Sequence, residues 1–101
     1  MQSPRGAQFS VYIGGNLFCV TGCLAANLTS KQLHDAKLLL QLLHWQSELC
    51  GPSFDVNGTS LNLTFRRSVA GLDITEAREA ILRVADAFDA LYPGIQKHLG
   101  R

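Results

Sequence analysis

Residues Thr29 to Cys50 are more apolar than a helix with a single buried face needs to be. At 100° per residue, Leu33, Ala36, Leu40 and Leu43 form one stripe. Leu38, Leu42, Trp45 and Leu49 form a second stripe roughly opposite, with Leu39 between the two. Only Lys37, Gln41, His44, Glu48 and His34 make a wet wedge. A surface helix of a lone small protomer buries one stripe. The second stripe is therefore expected to face another protein chain, with Trp45 as its anchor, since tryptophan suits the centre of an interface. The alternative is that both stripes are internal, one against a sheet and one against a second helix.

The rest of the chain supplies that sheet and that helix. Phe9 to Ile13 alternates, with Phe9, Val11 and Ile13 on one face, and reads as a half-buried strand. Gly14-Gly15-Asn16 is a hairpin turn, and Leu17 to Leu24 returns, broken or bulged at Gly22. Thr29 and Gln32 have capping-box spacing, so one helix is expected from there to about Cys50, stopped by Gly51-Pro52. Ser53 to Val56 is a short strand and Asn57-Gly58 a strong turn signal. From Ser60 to Arg66 the alternation is clean, with Leu61, Leu63 and Phe65 inward and Asn62, Thr64 and Arg66 outward. Asp73 and Glu76 repeat the capping box ahead of an amphipathic helix carrying Ala77, Ile81, Val84, Phe88 and Leu91. Pro93-Gly94 is expected to end it, with Ile95 and Leu99 packing a last turn on the body. The order β-β-α-β-β-α, two antiparallel hairpins in one sheet with helices packed on one face, is an α+β fold. Residues 1–8 carry Pro4 and Gly6 without periodicity and read as a flexible arm; residues 9–101 read as one domain.

Composition narrows the function classes. A formal net charge of +1 with scattered Lys and Arg leaves no electrostatic footprint for nucleic acid. Only 17% of residues are charged, so much apolar surface on a small chain must find cover, which favours association. No apolar run reaches the ~18 residues of a membrane span, and no signal-peptide pattern opens the chain. Three cysteines, Cys19, Cys23 and Cys50, fit a reducing cytoplasm better than a disulfide scaffold. The sequons at Asn27, Asn57 and Asn62 are then turn, cap and strand residues.

Catalytic and metal chemistry find little support. Cys19 and Cys23 would sit about 13 Å apart along a strand, too far to share a zinc ion whose sulfur ligands lie at about 2.3 Å. All three thiols read as buried and structural. His34 and His44 lie on the wet wedge without an orienting group, His98 carries no signal, and Gly14-Gly15 lacks the helix and the Lys-Ser/Thr of a phosphate loop. No catalytic residue, metal or cofactor is expected.

From Phe9 to about His98 the layout resembles the class I chaperones of bacterial type III secretion, the Tir-chaperone or CesT-like family. The residues that carry the resemblance are the hairpin Phe9–Leu24, Leu39-Leu40-Gln41-Leu42-Leu43 in the helix, Phe54-Asp55-Val56, the strand Leu61-Asn62-Leu63-Thr64-Phe65, and Val69-Ala70-Gly71-Leu72-Asp73 before the last helix. The YbjN-like family shares much of the arrangement. The resemblance implies a cytoplasmic bacterial homodimer without enzymatic activity. Its members bind the N-terminal segment of a secreted effector and keep it export-competent, partly by adding a strand to a sheet edge. Carried over, the dimer seam falls on Leu38, Leu42, Trp45 and Leu49 with Leu61 and Leu63, and the effector contacts fall on Val11, Ile13, Phe18 and Val20. The competing readings are a YbjN-like or other adaptor subunit of a hetero-complex and, more remotely, a small thiol or metal enzyme using Cys19, Cys23 or Cys50.

Overall fold

The period-two segments become two hairpins, and the hairpins share one antiparallel sheet. A computed structural model describes residues 9–100; the expected arm at residues 1–8 lies outside them. The elements are β1 (Phe9–Gly14), β2 (Leu17–Ala25), α1 (Ser30–Leu33), α2 (Ala36–Glu48), β3 (Ser53–Asn57), β4 (Ser60–Ser68) and α3 (Ile74–His98). The strand order is β1-β2-β4-β3, so the second strand of each hairpin is central and β1 and β3 are the edges. This is the α+β arrangement expected, with one additional short helix.

The register fixes which side chains meet. Phe9, Gly22, Leu63 and Phe54 form one cross-strand row; Val11, Val20 and Phe65 form the next; Ile13, Phe18 and Arg67 form a third. All lie on the face that the helices cover, because side chains alternate along a strand. On α3, the Phe88 ring stands edge-on to Phe9 at 5.2 Å, and Glu76 in its first turn pairs with Arg67 at 2.5 Å. The helix therefore runs over these rows, burying Ala80, Val84, Phe88, Leu91 and Ile95 against Val20, Leu24, Leu61 and Leu63 in one cluster. The opposite face carries Ser10, Tyr12, Cys23 and Arg66, all exposed. Thr64 is also on that face but is buried, its hydroxyl 2.9 Å from that of Thr21. The wet side of a sheet thus contains a buried Thr64, bonded to the half-buried Thr21, where alternation alone predicts an outward Thr64.

Four local expectations change. The helix from Thr29 is two helices. The Thr29–Gln32 capping box forms with both of its bonds, but His34 turns back to bond the Ser30 carbonyl at 2.8 Å. Asp35 then caps a new helix, its carboxylate accepting from the Lys37 N–H. Second, Gly22 is not a bulge; it stays in register and the irregularity lies between Cys23 and Ala25. Third, the second capping box is half made: Asp73 accepts from the Glu76 N–H at 2.8 Å, while the Glu76 carboxylate is engaged by Arg67. Fourth, Pro93-Gly94 does not end α3, which continues to His98. Tertiary packing outweighs the cost of an interior proline, because the turns beyond it bury Ile95. They also send the Gln96 amide to the Leu24 carbonyl at 2.6 Å.

Two glycines set the distance between layers. A Cβ at Gly22 would meet Phe9 at 2.9 Å and Phe88 at 3.0 Å, and one at Gly94 would meet Trp45 at 3.2 Å. Gly14 has nothing within 4 Å. Gly22→Ala is expected to lose about 1–3 kcal/mol, the usual cost of overpacking, while Gly14→Ala stays within about 0.5 kcal/mol of wild type. Urea melts of the two variants check this; equal midpoints would contradict the packing described.

Candidate protein-interaction surfaces

The wet wedge on α2 does not settle which leucine stripe lies inside; the chain's exit from the helix does. Leu49 must leave toward β3, so the stripe that includes it turns to the sheet. Leu38 and Leu42 are buried in the protomer's own core, and Trp45 and Leu49 pack half-buried against it. Leu61 and Leu63 are fully enclosed beneath α3. Four of the six residues expected at a dimer seam, Leu38, Leu42, Leu61 and Leu63, therefore belong to the interior of one chain, while Trp45 and Leu49 keep part of their surface exposed. The Trp45 ring meets Gly94 on α3, where the absence of a Cβ gives it room.

The exposed apolar side chains on α2 are the other stripe. Leu39 is 45%, Leu40 66% and Leu43 67% exposed. Beside them run Lys37, His44 and Glu48, with His44 Nε2 3.5 Å from the Glu48 carboxylate one turn on. The sequence reading missed these leucines as a surface because it assigned their stripe to the core. The signal available was the position of Leu49, two residues before Gly51-Pro52 and the sheet.

The four residues expected to contact a bound segment divide by strand. Phe18 and Val20 are central and buried; Val11 and Ile13 are at the edge and open. Along β1 the exposure rises from 7% at Phe9, under Phe88, to 40% at Val11 and 67% at Ile13. Tyr12, on the opposite face of the same strand, is 50% exposed. Its phenol is raised above its ordinary pKa, first by a hydrogen bond with the neighbouring Cys19. Natural edge strands are usually blunted by charge or proline. β1 carries neither, and offers three large apolar or aromatic side chains in succession.

The other edge is treated differently. At the start of β3 the Gln46 side chain acts as a short strand: its Nε2 donates to the Pro52 carbonyl at 3.2 Å, and its Oε1 accepts from the Phe54 N–H at 3.0 Å. One amide thus occupies the outward Phe54 donor of β3 and the Pro52 carbonyl just before the strand. Further along, Asp55 meets Arg66 at 3.4 Å, placing charge on the strand.

The residues considered for chemistry are dispersed. Cys19 is buried on the open sheet face; Cys23 and Cys50 are exposed, contrary to the expectation that all three thiols are interior. His34 is held to the Ser30 carbonyl, and His98 reaches the Asp35 carboxylate at 3.5 Å, tying the end of α3 to the start of α2. Among the described residues no three of His, Cys, Asp and Glu cluster to hold a metal ion, and no helix is long and apolar enough to cross a membrane.

Gln46→Ala should remove both edge bonds and destabilise the protein by about 1–2 kcal/mol, two partly buried bonds at net values near 1 kcal/mol each. The Phe54 amide should exchange hydrogen much faster, while amides of β2 keep their protection; unchanged exchange at Phe54 would show that the amide does not guard this edge. No protein-family model matches the chain, and neither does any curated protein.

Proposed function

We propose that the chain is a non-catalytic protein-binding module, a secretion chaperone that holds the N-terminal segment of a type III effector in an export-competent form. It would act in the bacterial cytoplasm and as a homodimer. The observation that carries the reading is the contrast between the two sheet edges. The β3 edge is engaged at its start by Gln46, whereas β1 leaves Val11 and Ile13 exposed on one side and Tyr12 on the other.

An incoming extended segment gains twice at such an edge. Its backbone pairs with the outer row of β1, and its alternate side chains cover Val11 and Ile13. Backbone pairing is indifferent to sequence, so it suits a holder that must keep a segment unfolded without reading it closely. The apolar contact adds roughly 25 cal/mol per Å² removed from water. Phe18 and Val20 contribute from behind, by fixing the register of β1 through their pairing with Ile13 and Val11. The resemblance of the sequence to the CesT-like chaperones supports the same reading.

The test is amide exchange on the full chain mixed with the N-terminal segment of an exported protein encoded beside it. Protection is expected to rise at residues 10–14 and not at 53–57. Ile13→Asp, at an exposed position, should leave the melting curve within about 0.5 kcal/mol of wild type and weaken segment binding at least tenfold. Protection confined to other elements, or full binding by Ile13→Asp, would refute the reading.

A further inference from the structure

The open row of β1 is complementary to itself. β1 and β2 are joined by the two-residue loop Gly15-Asn16. The pair that closes such a loop is hydrogen-bonded, so Gly14–Leu17, Tyr12–Cys19 and Ser10–Thr21 exchange bonds inside the hairpin. The N–H and C=O groups of Phe9, Val11 and Ile13 therefore point away from β2, with no strand beyond them. The side chains of the same three residues lie on the face that the helices cover.

This row is unequal along its length. Its Phe9 end lies under Phe88, and Tyr92, half open to water, stacks on Phe88 at 5.5 Å; its Ile13 end is bare. An antiparallel neighbour with the same gradient sets bare end against covered end twice, and a second β1 is such a neighbour. With a twofold axis at Val11, Val11 faces Val11 of the second copy, and each Ile13 lies beside the other copy's Phe9, within reach of Tyr92. On the opposite face Tyr12 falls beside Ser10. β1 has no charged side chain, so the two strands do not repel. The helices above agree with this pairing. Glu76 is held at the row of Ile13 through Arg67, and Phe88 stands at the row of Phe9, so α3 runs opposite to β1. Its flank toward β1 carries Arg78 near the Ile13 end and Asp89 near the Phe9 end. The same twofold sets Arg78 of each copy toward Asp89 of the other, so opposite charges face each other on both sides of the axis.

We infer that in the free protein β1 pairs antiparallel with β1 of a second copy about Val11, joining two four-stranded sheets into one continuous sheet. The pairing supplies the guard that this edge lacks in charge or proline, and it uses no part of α2. Its consequence rests on the strand-capture reading above: a captured segment and a second copy compete for one backbone row, so capture opens the pair. A strand of six residues falls well short of the roughly 800 Å² per partner of a standard interface. The pair therefore dissociates readily, as a guard that must yield to a segment has to.

Amide exchange of the full chain, compared between low micromolar and near-millimolar concentration, tests it. Protection is expected to rise with concentration at Val11 and Ile13, while Ser10 and Tyr12, bonded inside the hairpin, are protected at both. The readout is local, so association through another face does not imitate it. Val11→Pro removes the donor at the axis and leaves the β1–β2 ladder whole, since its N–H faces outward. It should raise the concentration at which Ile13 becomes protected about 30-fold, two backbone bonds being lost about the axis. Retained protection at Ser10 and Tyr12 shows that its hairpin is intact. Ile13→Asp, a second variant at an exposed position, should raise the same concentration at least about tenfold by setting a carboxylate against Phe9 and Tyr92. Exchange at Val11 and Ile13 that is independent of concentration, or concentration-dependent protection that survives both variants, would overturn the inference. The exported segment of the preceding test separates the two readings. If it binds at residues 10–14 while the free chain shows no concentration-dependent protection there, strand capture stands and self-pairing falls. If the free chain shows that protection and the segment does not bind, self-pairing stands and strand capture falls.

Discussion

The contact of Phe88 with Phe9 above Gly22 sets the height of α3 over the sheet. The ring of Phe88 reaches the row Phe9–Gly22–Leu63–Phe54 only because the central strand has no Cβ at Gly22. With the helix seated there, Val84 and Ile95 close completely over Val20, Leu24 and Leu63. A rigid helix held at one row and pinned at Arg67 by Glu76 covers the two central strands. It leaves the outer column of β1 uncovered away from Phe9. The exposure of Val11 and Ile13 thus follows from where α3 is fixed, not from local looseness.

The same geometry explains α2. Once α3 occupies the middle of the sheet, α2 packs beside it, toward β3. Gln46 reaches the β3 edge, Trp45 reaches α3 at Gly94, and Asp35 reaches His98. Every one of these ties belongs to the side of α2 carrying Leu38 and Leu42. That leaves Leu40 and Leu43 outward.

The strands were legible because alternation is local: Phe9-Ser10-Val11 and Leu61-Asn62-Leu63 state their faces within a few residues, and Asn57-Gly58 states the turn. Two helix starts were legible for the same reason, through Thr29 and Asp73, but the start of α2 at Asp35 was not. What was not legible needed a contact between distant residues. Two leucine stripes on one helix are equivalent until a neighbour chooses between them, and the neighbours, Gly94 and the sheet, lie elsewhere in the chain. Pro93 reads as a stop until the burial of Ile95 outweighs it. Trp45 reads as an interface anchor until a glycine 49 residues later makes room for it. The candidate surface suffered most: Leu38, Leu42, Leu61 and Leu63 proved interior, and Leu39, Leu40 and Leu43 took the outer face.

The apolar surfaces of β1 and α2 lie toward opposite ends of the sheet. α2 sits toward β3, and the open strand is β1, so the order β1-β2-β4-β3 separates the two edges by three strand spacings, about 14 Å. A strand added at β1 extends the sheet away from α2, and a chain placed on the outer face of α2 does not approach β1 along the sheet. The edges also differ in kind. β1 offers backbone and alternating side chains, which suit an extended segment; α2 offers a helical ridge with charge at each end, which suits another helix. A chain this small has room for one core, so some of its large apolar side chains stay outside it. Placing the surplus on two elements of different geometry, a sheet width apart, lets one surface be occupied without covering the other.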